Sequence, residues 1–274
     1  MGLFSRVLGG LGLGARGSLT SFGKSYRLAA RSPVARATHR FTFALESPEA
    51  VLGLPVGHHL EVRLPGGDGT SRAYTPVTGD ATKGSFDLVV KVYPEGRVSS
   101  YLDSLQVGDS AEIAGPQGEI TYLGSGAFEV EDPFAGTKRT IKCDGLGMIA
   151  GGTGITPMYQ IAAHSLAQAE DRLEMSLLFA NRTPEDVMLR EELDALNEAS
   201  PRFRVTYSVD EAPAGAPWSG ATGRTSATLV AEALGRLPKR PNLVCICGPP
   251  GFHRAVKALL TEDLGYANDE IFEF

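Results

Sequence analysis

Short hydrophobic segments separated by turn residues fill the first half of the chain, from about residue 26 to residue 121. The segments, which are rich in β-branched and aromatic residues, are 40–45, 59–64, 86–93 and 110–113. Turn-forming clusters at 54–57, 65–69, 78–80 and 115–118 lie between them. Strands at this spacing, with little helix between them, predict a small antiparallel barrel over residues 26–123.

Near residue 140 the pattern changes to strand, glycine turn and helix, repeated along the chain. Buried strands are predicted at 141–150, 174–180, 203–209 and 243–247, and helices at 157–169, 184–199, 225–234 and 251–264. This alternation predicts a parallel sheet covered by helices over residues 140–274, with any ligand at the carboxyl edge of the strands. Residues 124–139 are interpreted as the linker, so a binding site is expected in the cleft between the two domains.

The composition supports two folded domains and narrows the class of partner. A chain of 274 residues, 42% hydrophobic and 21% charged, is long enough for two domains and too hydrophobic for a disordered protein. A net charge of −6 gives no global electrostatic basis for binding nucleic acid. Three cysteines favour a reducing compartment over secretion and cannot supply the four thiolates of an iron–sulfur cluster.

The N-terminal segment, residues 1–25, is interpreted as a basic tail or targeting segment. Residues 1–45 contain seven basic residues and no acidic one. Their longest uncharged run, residues 7–15, is far shorter than the ~20 residues needed to span a bilayer. A mitochondrial transit peptide and a loose basic tail both remain open.

A glycine-rich turn, residues 151–157, lies directly between an apolar strand and a helix. Its glycines permit backbone conformations closed to other residues, Thr156 can cap the helix, and Pro157 suits the first helical turn. The exposed amides and the positive helix end would then face an anionic pyrophosphate. Tight packing alone explains many such turns, and this one lacks the third glycine of the dinucleotide-binding fingerprint. Dinucleotide binding therefore needs support from other motifs.

Two further motifs, both in the first half, carry cationic and aromatic residues next to turns. Strand alternation places Arg72 and Tyr74 on one face, where a cation and a ring together can hold a phosphate and cover a flat heterocycle. Gly96 and Arg97 follow a strand and precede a short helix predicted at 99–105, which makes a second anion cradle. One phosphate cradle in each domain suggests two nucleotides.

Cys245 and Cys247 end the last long strand, and strand alternation places both thiols on one face. Gly248 follows them and lets a ligand approach the backbone. Buried cysteines commonly only pack as small hydrophobic residues, and that interpretation stays open. No metal site is predicted, because no further Cys or clustered His completes a ligand set.

Taken together, these motifs resemble those of the cytochrome b5 reductase family within the ferredoxin reductase superfamily. The matching stretches, which occur in the order typical of that family, are 72–75, 96–99, 115–118, 151–158, 247–250 and 272–274. The resemblance covers residues 26–274. It implies a two-domain β + α/β fold, in which an antiparallel FAD-binding β-barrel precedes a Rossmann-like parallel-sheet NAD-binding domain. It also implies hydride transfer from NADH to FAD, followed by single-electron transfer to a haem protein such as cytochrome b5.

The same resemblance assigns roles to single residues. Arg72 would meet the FAD pyrophosphate, Tyr74 would pack on the isoalloxazine ring, and Thr75 would approach flavin N5. The residues placed nearest the reaction are Thr75, His59, Lys91 and Cys247. The cofactor-binding positions that the resemblance implies are Arg72, Tyr74, Thr75, Val90, Lys91, Tyr93, Gly96, Arg97, Val98, Ser99, Gly152, Thr153, Thr156, Asp210, Gly248, Pro249 and Phe274. Ala73 stands where the family usually has proline, which should loosen the turn without removing a contact.

NADH is favoured over NADPH by Asp210, which follows the strand predicted at 203–209. In the family an acidic residue here lies near the adenosine ribose, where a carboxylate would repel the charge of a 2′-phosphate. An aspartate that only forms a turn after a strand is the alternative. Arg182 and Arg224 could reach the same region.

Two other functions remain open: a flavin reductase component that serves another acceptor, such as an oxygenase or a nitrate reductase-like partner, and a non-catalytic nucleotide-binding module. The resemblance implies cytochrome b5 or a related haem protein as partner, and the mitochondrial or cytosolic face of an intracellular membrane as location. Candidate residues for a basic docking rim are Lys83, Lys91, Arg97, Lys138 and Arg139. A monomer is expected, and peripheral membrane association through the N-terminus is compatible with the basic tail.

Overall fold

The structure, a computed structural model, describes residues 23–66, 68–133, 135–212 and 218–274. Strand β1 (Lys24–Ala35) begins inside the predicted tail, so Lys24 and Ser25 belong to the first sheet. The predictions of a transit peptide or a loose tail otherwise concern residues that lie outside the described part. Among the described residues, no helix has both the length and the apolar composition needed to cross a bilayer.

The first domain is built from six antiparallel strands. After β1 they are β2 (Thr38–Ala44), β3 (His59–Arg63), β4 (Ser71–Tyr74), β5 (Ser85–Lys91) and β6 (Ser110–Gln117), in the sheet order β4-β3-β6-β1-β2-β5. The outer strands β4 and β5 contact each other, and just beyond β4 the amide of Val77 donates to the carbonyl of Asp87, 3.0 Å away. The sheet therefore curls into the barrel that the sequence predicts.

Alternating side chains of these strands fill the barrel core. Phe41 and Phe43 on β2 and Phe86 on β5 are fully buried. Their strand neighbours Thr42 and Asp87 are only half-buried. This two-residue period is that of a strand with one face on the core. Phe43 and Phe86 stack with ring centroids 5.6 Å apart. Burial of each large apolar side chain stabilises the barrel by about 2 kcal/mol. Helix α1 (Arg97–Ser104) packs on the same core.

Strand β1 is the element of the barrel that the hydrophobicity pattern does not reveal. Only Tyr26 and Leu28 among its residues are buried. The strand lies between β2 and β6 and forms backbone hydrogen bonds with both. Because these bonds depend on distant partners rather than on apolar side chains, the local composition gives no signal for the strand.

The segment interpreted as a linker, residues 124–139, contains one whole strand and the first half of another. β7 (Ile120–Gly124), β8 (Ala127–Asp132) and β9 (Thr137–Lys142) form a three-stranded antiparallel sheet. Tyr122 and Phe128 pack with ring centroids 4.7 Å apart and join the core of the second domain. Gly126 has a left-handed φ of 75°, and a Cβ there would lie 2.0 Å from the carbonyl oxygen of Cys143, so only glycine fits. The connection between the domains is therefore a packed hairpin sheet.

The second domain is a sheet of six parallel strands with helices on both faces. The strands are β10 (Gly145–Gly151), β11 (Glu174–Asn181), β12 (Phe203–Val209), β13 (Ala221–Thr222), β14 (Val244–Cys247) and β15 (Ile271–Glu273). Helices α2 (Ile155–Ala167) and α3 (Arg190–Ala199) pack on one face, and α4 (Ala227–Leu234) and α5 (Pro250–Ala258) on the other. A π-helical turn, Leu259–Asp263, extends α5. This arrangement confirms the predicted parallel sheet covered by helices.

The strand order β13-β12-β11-β10-β14-β15 places a topological switch between β10 and β14. From β10 the chain moves through α2 to β11 and on to β12, then returns to β14 on the other side of β10. The connections therefore diverge at the carboxyl ends of β10 and β14, where Gly151 and Cys247 lie. In open parallel sheets this crevice is where ligands bind.

The segment before α3 differs from the single helix predicted at 184–199. Pro184–Asp186 forms a short 3-10 turn, and α3 begins only at Arg190. Between them, Leu189 is left-handed, with φ 55° and ψ 27°, and its side chain is buried. A non-glycine residue in this conformation costs about 1–3 kcal/mol, which the burial of the leucine side chain offsets. The left-handed residue breaks the helical pattern that the sequence suggests.

Polar side chains join the two domains. Gln160 on α2 accepts a hydrogen bond from the amide of Gly57, 2.7 Å away. Its side-chain nitrogen donates to the carbonyl of His58, 3.3 Å away. Arg40 on β2 forms an ion pair with Glu192 on α3. Both contacts connect the barrel to helices on the same face of the parallel sheet, so they hold that face against the barrel.

Candidate active site

A cleft of about 430 Å³ opens between the barrel and the carboxyl edge of the parallel sheet. The sequence-predicted site residues that line it are His59, Arg72, Tyr74, Thr75, Lys91, Tyr93, Gly96, Arg97, Val98, Ser99, Thr153, Thr156, Cys247, Gly248 and Phe274. Val90, Gly152, Asp210 and Pro249 lie outside its lining. Each domain therefore contributes one wall of the cleft.

The end of β4 forms the centre of the barrel wall. Arg72 is exposed and its Nη1 donates to the carbonyl of Ser71, 2.8 Å away, and no carboxylate pairs with it within the described part of the chain. Tyr74 is half-buried, and burial raises the pKa of its phenol to about 12 although Arg72 opposes the shift. Thr75 is buried, and its hydroxyl makes no hydrogen bond to any residue that the structure describes. This wall combines a free positive charge, a neutral ring and an available hydroxyl.

The start of α1 forms the second part of the barrel wall. The hydroxyl of Ser99 donates to the carbonyl of Gly96 (3.0 Å) and accepts from the amide of Tyr93 (3.2 Å), which fixes the turn before the helix. A Cβ on Gly96 would lie 2.3 Å from that hydroxyl, so the position needs glycine. The first amides of a helix have no partner within it, and the first residues of α1, Arg97, Val98 and Ser99, line the cleft. The turn is therefore suited to bind an anion.

Arg97, predicted as part of the pyrophosphate clamp, has partners of its own. Its Nη2 lies 2.6 Å from Asp68 Oδ2, and its Nη1 donates to the hydroxyl of Thr70, 2.9 Å away. The amide of Thr70 and the Arg97 guanidinium lower the pKa of Asp68 to about 2, so this carboxyl is ionised. Part of the Arg97 charge is thus neutralised, which leaves Arg72 as the stronger candidate for an anionic ligand.

The glycine-rich turn closes the opposite wall. A Cβ on Gly154 would lie 2.2 Å from the carbonyl oxygen of Cys247, so the ends of β10 and β14 approach each other only because this residue is glycine. Gly152 takes a left-handed φ of 54°, which turns the chain into α2. The hydroxyl of Thr156 donates to the carbonyl of Thr153, 3.2 Å away, and fixes the first helical turn.

Cys247 contributes a neutral thiol to this wall. Burial raises its pKa to about 12, so the sulfur carries a proton at physiological pH. Cys245 is fully buried, and both residues pack against the core that includes α2. The shared face agrees with strand alternation. A protonated, half-buried thiol is a soft contact surface and not a nucleophile.

Lys91, predicted to lie near the flavin, pairs with a carboxylate of the other domain. Its Nζ lies 2.9 Å from Asp186 Oδ1, while Arg36 approaches Asp186 Oδ2 to 2.6 Å. Asp186 is only 3% exposed. Burial opposes ionisation of this carboxyl, but the hydrogen bonds from Arg36 and Lys91 outweigh it and lower the pKa to about 2. Lys91 lines the cleft, and the Asp186 carboxylate neutralises most of its positive charge.

Two aromatic rings complete the cleft on either side. Burial lowers the pKa of His59, so its imidazole is neutral at physiological pH. Phe274 is fixed by its amide, which donates to the carbonyl of Ile246, 2.9 Å away. Its ring meets Phe272 edge to face, with centroids 5.0 Å apart. The Phe274 ring is therefore held by the fold before any ligand is bound.

The predicted residues outside the lining have other surroundings. Val90 is 1% exposed and packs in the barrel core next to Lys91. Pro249 is exposed and precedes the first residue of α5. Asp210 is exposed at the end of β12, and its amide donates to the carbonyl of Asn181, 3.0 Å away. Among these residues, Asp210 stays at the carboxyl edge of the sheet, as a nucleotide site requires.

The surroundings of Asp210 include the two arginines singled out in the sequence. The amide of Glu211 donates to the carbonyl of Arg182, 3.0 Å away, so Arg182 lies beside Asp210. The amide of Gly223 donates to the carbonyl of Val209, which brings Arg224 to the same edge. The parallel register of β11, β12 and β13 thus brings Arg182 and Arg224 to the same edge of the sheet as Asp210.

The predicted basic rim is mostly paired with carboxylates. Lys83 lies 2.8 Å from Glu49, and Lys138 lies 2.7 Å from Glu129. Arg139 donates to the carbonyl of Asp269, 2.9 Å away. Together with the pairing of Lys91 and Arg97 described above, these contacts leave little free positive charge among the candidate rim residues.

Some lining residues were not predicted from the sequence as site residues. Val89, Glu95, Gly154 and Pro157 also line the cleft. Gly154 and Pro157 belong to the glycine-rich turn, so the motif itself could have indicated them. Asp186 had no sequence signal, because its role depends on Lys91 and Arg36, which are distant along the chain.

Both domains match known oxidoreductase families. Residues 25–122 match the family model of the oxidoreductase FAD-binding domain. Residues 148–258 match that of the oxidoreductase NAD-binding domain. The first match covers the barrel and the second covers most of the parallel sheet, so each wall of the cleft belongs to one of the two families.

Curated proteins and solved structures with the whole two-domain arrangement are also similar to this chain. It is 37% identical to NADH-cytochrome b5 reductase 2 of Homo sapiens over 256 residues, which are 89% of this chain and 91% of that protein. It is 41% identical to NADH-cytochrome b5 reductase 1 of Bos taurus, over 88% of this chain and 82% of that protein. The cytochrome b5 reductase domain of Ulva prolifera nitrate reductase has the same fold, with a TM-score of 0.84 and 33% identity, over 94% of this chain and 100% of that one.

Proposed function

Since this chain belongs to the NADH-cytochrome b5 reductase family, we propose that it passes hydride from NADH to FAD and single electrons to cytochrome b5 or a similar haem protein. The chain is an oxidoreductase with an FAD-binding and an NAD-binding domain. The observation that carries the proposal is the cleft, where Tyr74 and Thr75 of the barrel and Cys247 and Gly248 of the parallel sheet line one space. A hydride donor and its acceptor meet in such a cleft when each domain binds one of them.

The barrel wall fits FAD. Arg72 offers a positive charge that no carboxylate of the described chain neutralises, and the free amides at the start of α1 add donors for the same pyrophosphate. The half-buried ring of Tyr74 offers a flat surface for the isoalloxazine, and the hydroxyl of Thr75 is available to its polar edge. When bound, FAD supplies the exchange between two-electron and one-electron transfer.

The parallel-sheet wall fits NADH. Helices α2 and α5 begin at the switch point, where their positive ends stabilise a pyrophosphate. Thr153, Gly248 and Pro249 bring the backbone close to that group. Asp210 at the same edge repels the 2′-phosphate of NADPH and thereby selects NADH. The nearby guanidinium groups of Arg182 and Arg224 limit how large this preference can be.

The residues nearest the reaction act by position and not by proton exchange. The thiol of Cys247 stays protonated, the imidazole of His59 stays neutral, and the ammonium of Lys91 stays bonded to Asp186. Thr75 contributes a hydroxyl. Neither the thiol nor the imidazole is poised to exchange a proton near neutral pH, which agrees with a reaction whose chemistry is performed by the cofactor.

An anaerobic absorbance titration tests the proposal. NADH should bleach the flavin band of the purified protein, and oxidised cytochrome b5 should then restore the band while its haem becomes reduced. A flavin that bleaches but leaves cytochrome b5 oxidised would exclude this acceptor. A colourless protein that does not react with NADH would contradict the whole proposal and favour a nucleotide-binding module.

One observation favours the second candidate, a reductase component with another acceptor. The candidate rim residues Lys83, Arg97 and Lys138 already pair with carboxylates, so this rim offers little free charge to an acidic haem protein. If opposite charges steer docking, the rate of cytochrome b5 reduction falls steeply with added salt. A slow rate that does not depend on salt would favour the second candidate.

The proposal extends to the N-terminal segment, for which Arg6 and Arg16, together with the absence of any acidic residue from residues 1–22, are the support. We infer peripheral association with an anionic membrane, a monomeric state, and a location on the mitochondrial or cytosolic face of an intracellular membrane. Sedimentation with phosphatidylserine vesicles, with and without residues 1–22, tests the association. Light scattering of the full chain tests the monomer.

A further inference from the structure

His253, in the first turn of α5, bonds to two separate parts of the cleft wall. Its Nε2 accepts a hydrogen bond from the amide of Gly248, 2.9 Å away. Its Nδ1 lies 3.4 Å from Glu273 Oε2 on β15. Gly248 lines the cleft, and Glu273 directly precedes Phe274, whose ring also lines it. One imidazole therefore connects the ends of β14 and β15.

The protonation state of this imidazole follows from its partners. An amide nitrogen can only donate, so Nε2 must have a free lone pair and the single ring proton must lie on Nδ1, toward Glu273. The carboxyl of Glu273 is ionised, because the hydrogen bond from Lys257 on α5 lowers its pKa. Cys247, the titratable residue of β14 beside Gly248, is a neutral thiol. A second proton on the ring would occupy Nε2 and oppose the Gly248 amide.

The surroundings of Gly248 leave little space for adjustment. A Cβ on this glycine would lie 2.7 Å from the ring of Phe252 and 3.2 Å from the Cα of Gly151. Gly151 is the first residue of the glycine-rich turn, so a displacement of Gly248 would also move the turn that faces the nucleotide. Loss of the hydrogen bond between His253 and Gly248 would thus change the shape of the cleft, although His253 itself need not contact a ligand.

We propose that His253 is a positioning residue for the pyridine-nucleotide half of the cleft: the neutral imidazole holds the Gly248 amide and Glu273, and protonation releases Gly248 and weakens nucleotide binding. The inference rests on the proposed function, because that function assigns Gly248 to the nucleotide. Protonation keeps the contact with Glu273, so the two arms of the bridge respond differently to pH. This asymmetry allows the arms to be separated by substitution.

Two substitutions of His253 each preserve one arm. In His253→Gln the side-chain amide overlays Nε2 and its oxygen can accept from Gly248, but nothing titrates. In His253→Asn the amide overlays Nδ1 and reaches toward Glu273, but the Gly248 amide loses its acceptor. Lys257→Met is the matched control, because it removes the ammonium group that binds Glu273 and leaves both histidine contacts in place.

Calorimetric titration of the oxidised holoenzyme with NAD⁺ measures the effect without turnover. For the unmodified protein, the Kd should rise about three- to tenfold as the pH falls from about 8 to about 5.5, because a proton on Nε2 removes the acceptor of the Gly248 amide. His253→Gln should bind NAD⁺ with a Kd that changes little over this range. His253→Asn should bind weakly at every pH, and Lys257→Met should follow the unmodified protein.

A measurement on the unmodified protein keeps the inference testable if a variant fails to fold. The amide resonance of Gly248 in a ¹⁵N spectrum should titrate with the His253 ring over the same pH range, and it should not titrate in His253→Gln. The inference would be overturned by a Gly248 resonance that does not change with pH. It would also be overturned if both His253 variants bound NAD⁺ with the affinity and pH profile of the unmodified protein. Failure of the proposed function would be recognised by a different result, because NADH would then not bleach the flavin band of the unmodified holoenzyme.

Discussion

Lys91 of the barrel and Asp186 of the parallel-sheet domain form an ion pair across the cleft, with 2.9 Å between Nζ and Oδ1. Arg36 binds the other oxygen of the same carboxylate at 2.6 Å, and the hydroxyl of Thr183 donates to it at 3.1 Å. Two cations of one domain therefore share a single buried anion of the other. The pairing fixes the relative position of the domains at the point where their walls meet.

Asp186→Asn should destabilise the protein by about 2 kcal/mol, because it leaves Lys91 half-buried without its counter-ion. Urea unfolding at neutral pH measures the loss. Glu49→Gln, which breaks the fully exposed pair with Lys83, is the control and should leave the unfolding midpoint unchanged. Equal midpoints for Asp186→Asn and the unmodified protein would show that the pair does not stabilise the fold.

The same pair predicts a dependence of stability on pH. The pKa of Asp186 is about 2 in the folded protein and ordinarily 3.8, so its contribution is present above about pH 4 and is lost as the pH falls toward 2. The difference in unfolding free energy between the unmodified protein and Asp186→Asn should therefore shrink over this interval. A constant difference would mean that the pKa of the Asp186 carboxyl is the same in the folded and the unfolded protein.

Arg72→Ala should weaken FAD binding about 10- to 100-fold, because it removes a charge-assisted hydrogen bond to the phosphate. The ratio of flavin to protein absorbance after purification measures retention. Arg63→Ala is the matched control, because Arg63 is the register neighbour of Ser71 on β3 and pairs with Glu112 instead. Full FAD occupancy in Arg72→Ala would refute the assignment.

Asp68→Asn should strengthen FAD binding about two- to fivefold, because it frees the Arg97 guanidinium from the carboxylate 2.6 Å away. Fluorescence titration of the flavin-free protein with FAD provides the Kd. The double substitution Asp68→Asn with Arg97→Ala should lose the gain. Tighter binding that persists in the double variant would mean that Arg97 is not the group responsible.

Asp210→Ala should reduce the NADH preference, expressed as the ratio of kcat/KM for NADH to that for NADPH, about tenfold. The reason is that removal of the carboxylate leaves Arg182 and Arg224 to face a 2′-phosphate. Glu211→Ala removes the neighbouring exposed carboxylate and should change the ratio much less. A ratio unchanged in Asp210→Ala would assign the discrimination to another residue.

The cysteines should resist alkylation in the folded protein. Burial raises the pKa of both Cys143 and Cys247 to about 12 and that of Cys245 still further. At about pH 8 iodoacetamide should therefore react much more slowly than with a free thiol. Mass spectrometry after timed labelling measures this, and the urea-unfolded chain provides the control in which all three thiols react. Rapid native labelling of Cys247 would contradict a neutral thiol in the cleft.

The sequence predicts those parts of the fold whose signals are local. Alternation in β2 and β5 and the repeated glycine turns before helices are patterns of neighbouring residues, so they indicate the barrel and the parallel sheet. The motif residues Arg72 and Gly96 belong to the antiparallel barrel, whereas Cys247 ends a strand of the parallel sheet. The family resemblance of these motifs predicts their meeting in one cleft, but strand alternation alone does not.

The parts that the sequence does not predict depend on partners far away along the chain. Strand β1 has few buried side chains, and backbone hydrogen bonds along both of its edges hold it in the sheet instead. Asp186 and His253 resemble ordinary turn and helix residues until Lys91 and Glu273 are placed beside them. Leu189 has no local signal, since a left-handed leucine is held only by the burial of its side chain.

The left-handed residue Leu189 has a consequence for how this region can change. Asp186 precedes it by three residues and Glu192 follows it by three, and these two carboxylates bind Arg36 and Arg40 of the barrel. Insertion or deletion of one residue in α3 before Glu192 would rotate that side chain by about 100° around the helix. One ion pair would survive and the other would be lost. The number of residues between Asp186 and Glu192 is therefore constrained independently of their identity, and substitutions should be tolerated here far better than changes in length.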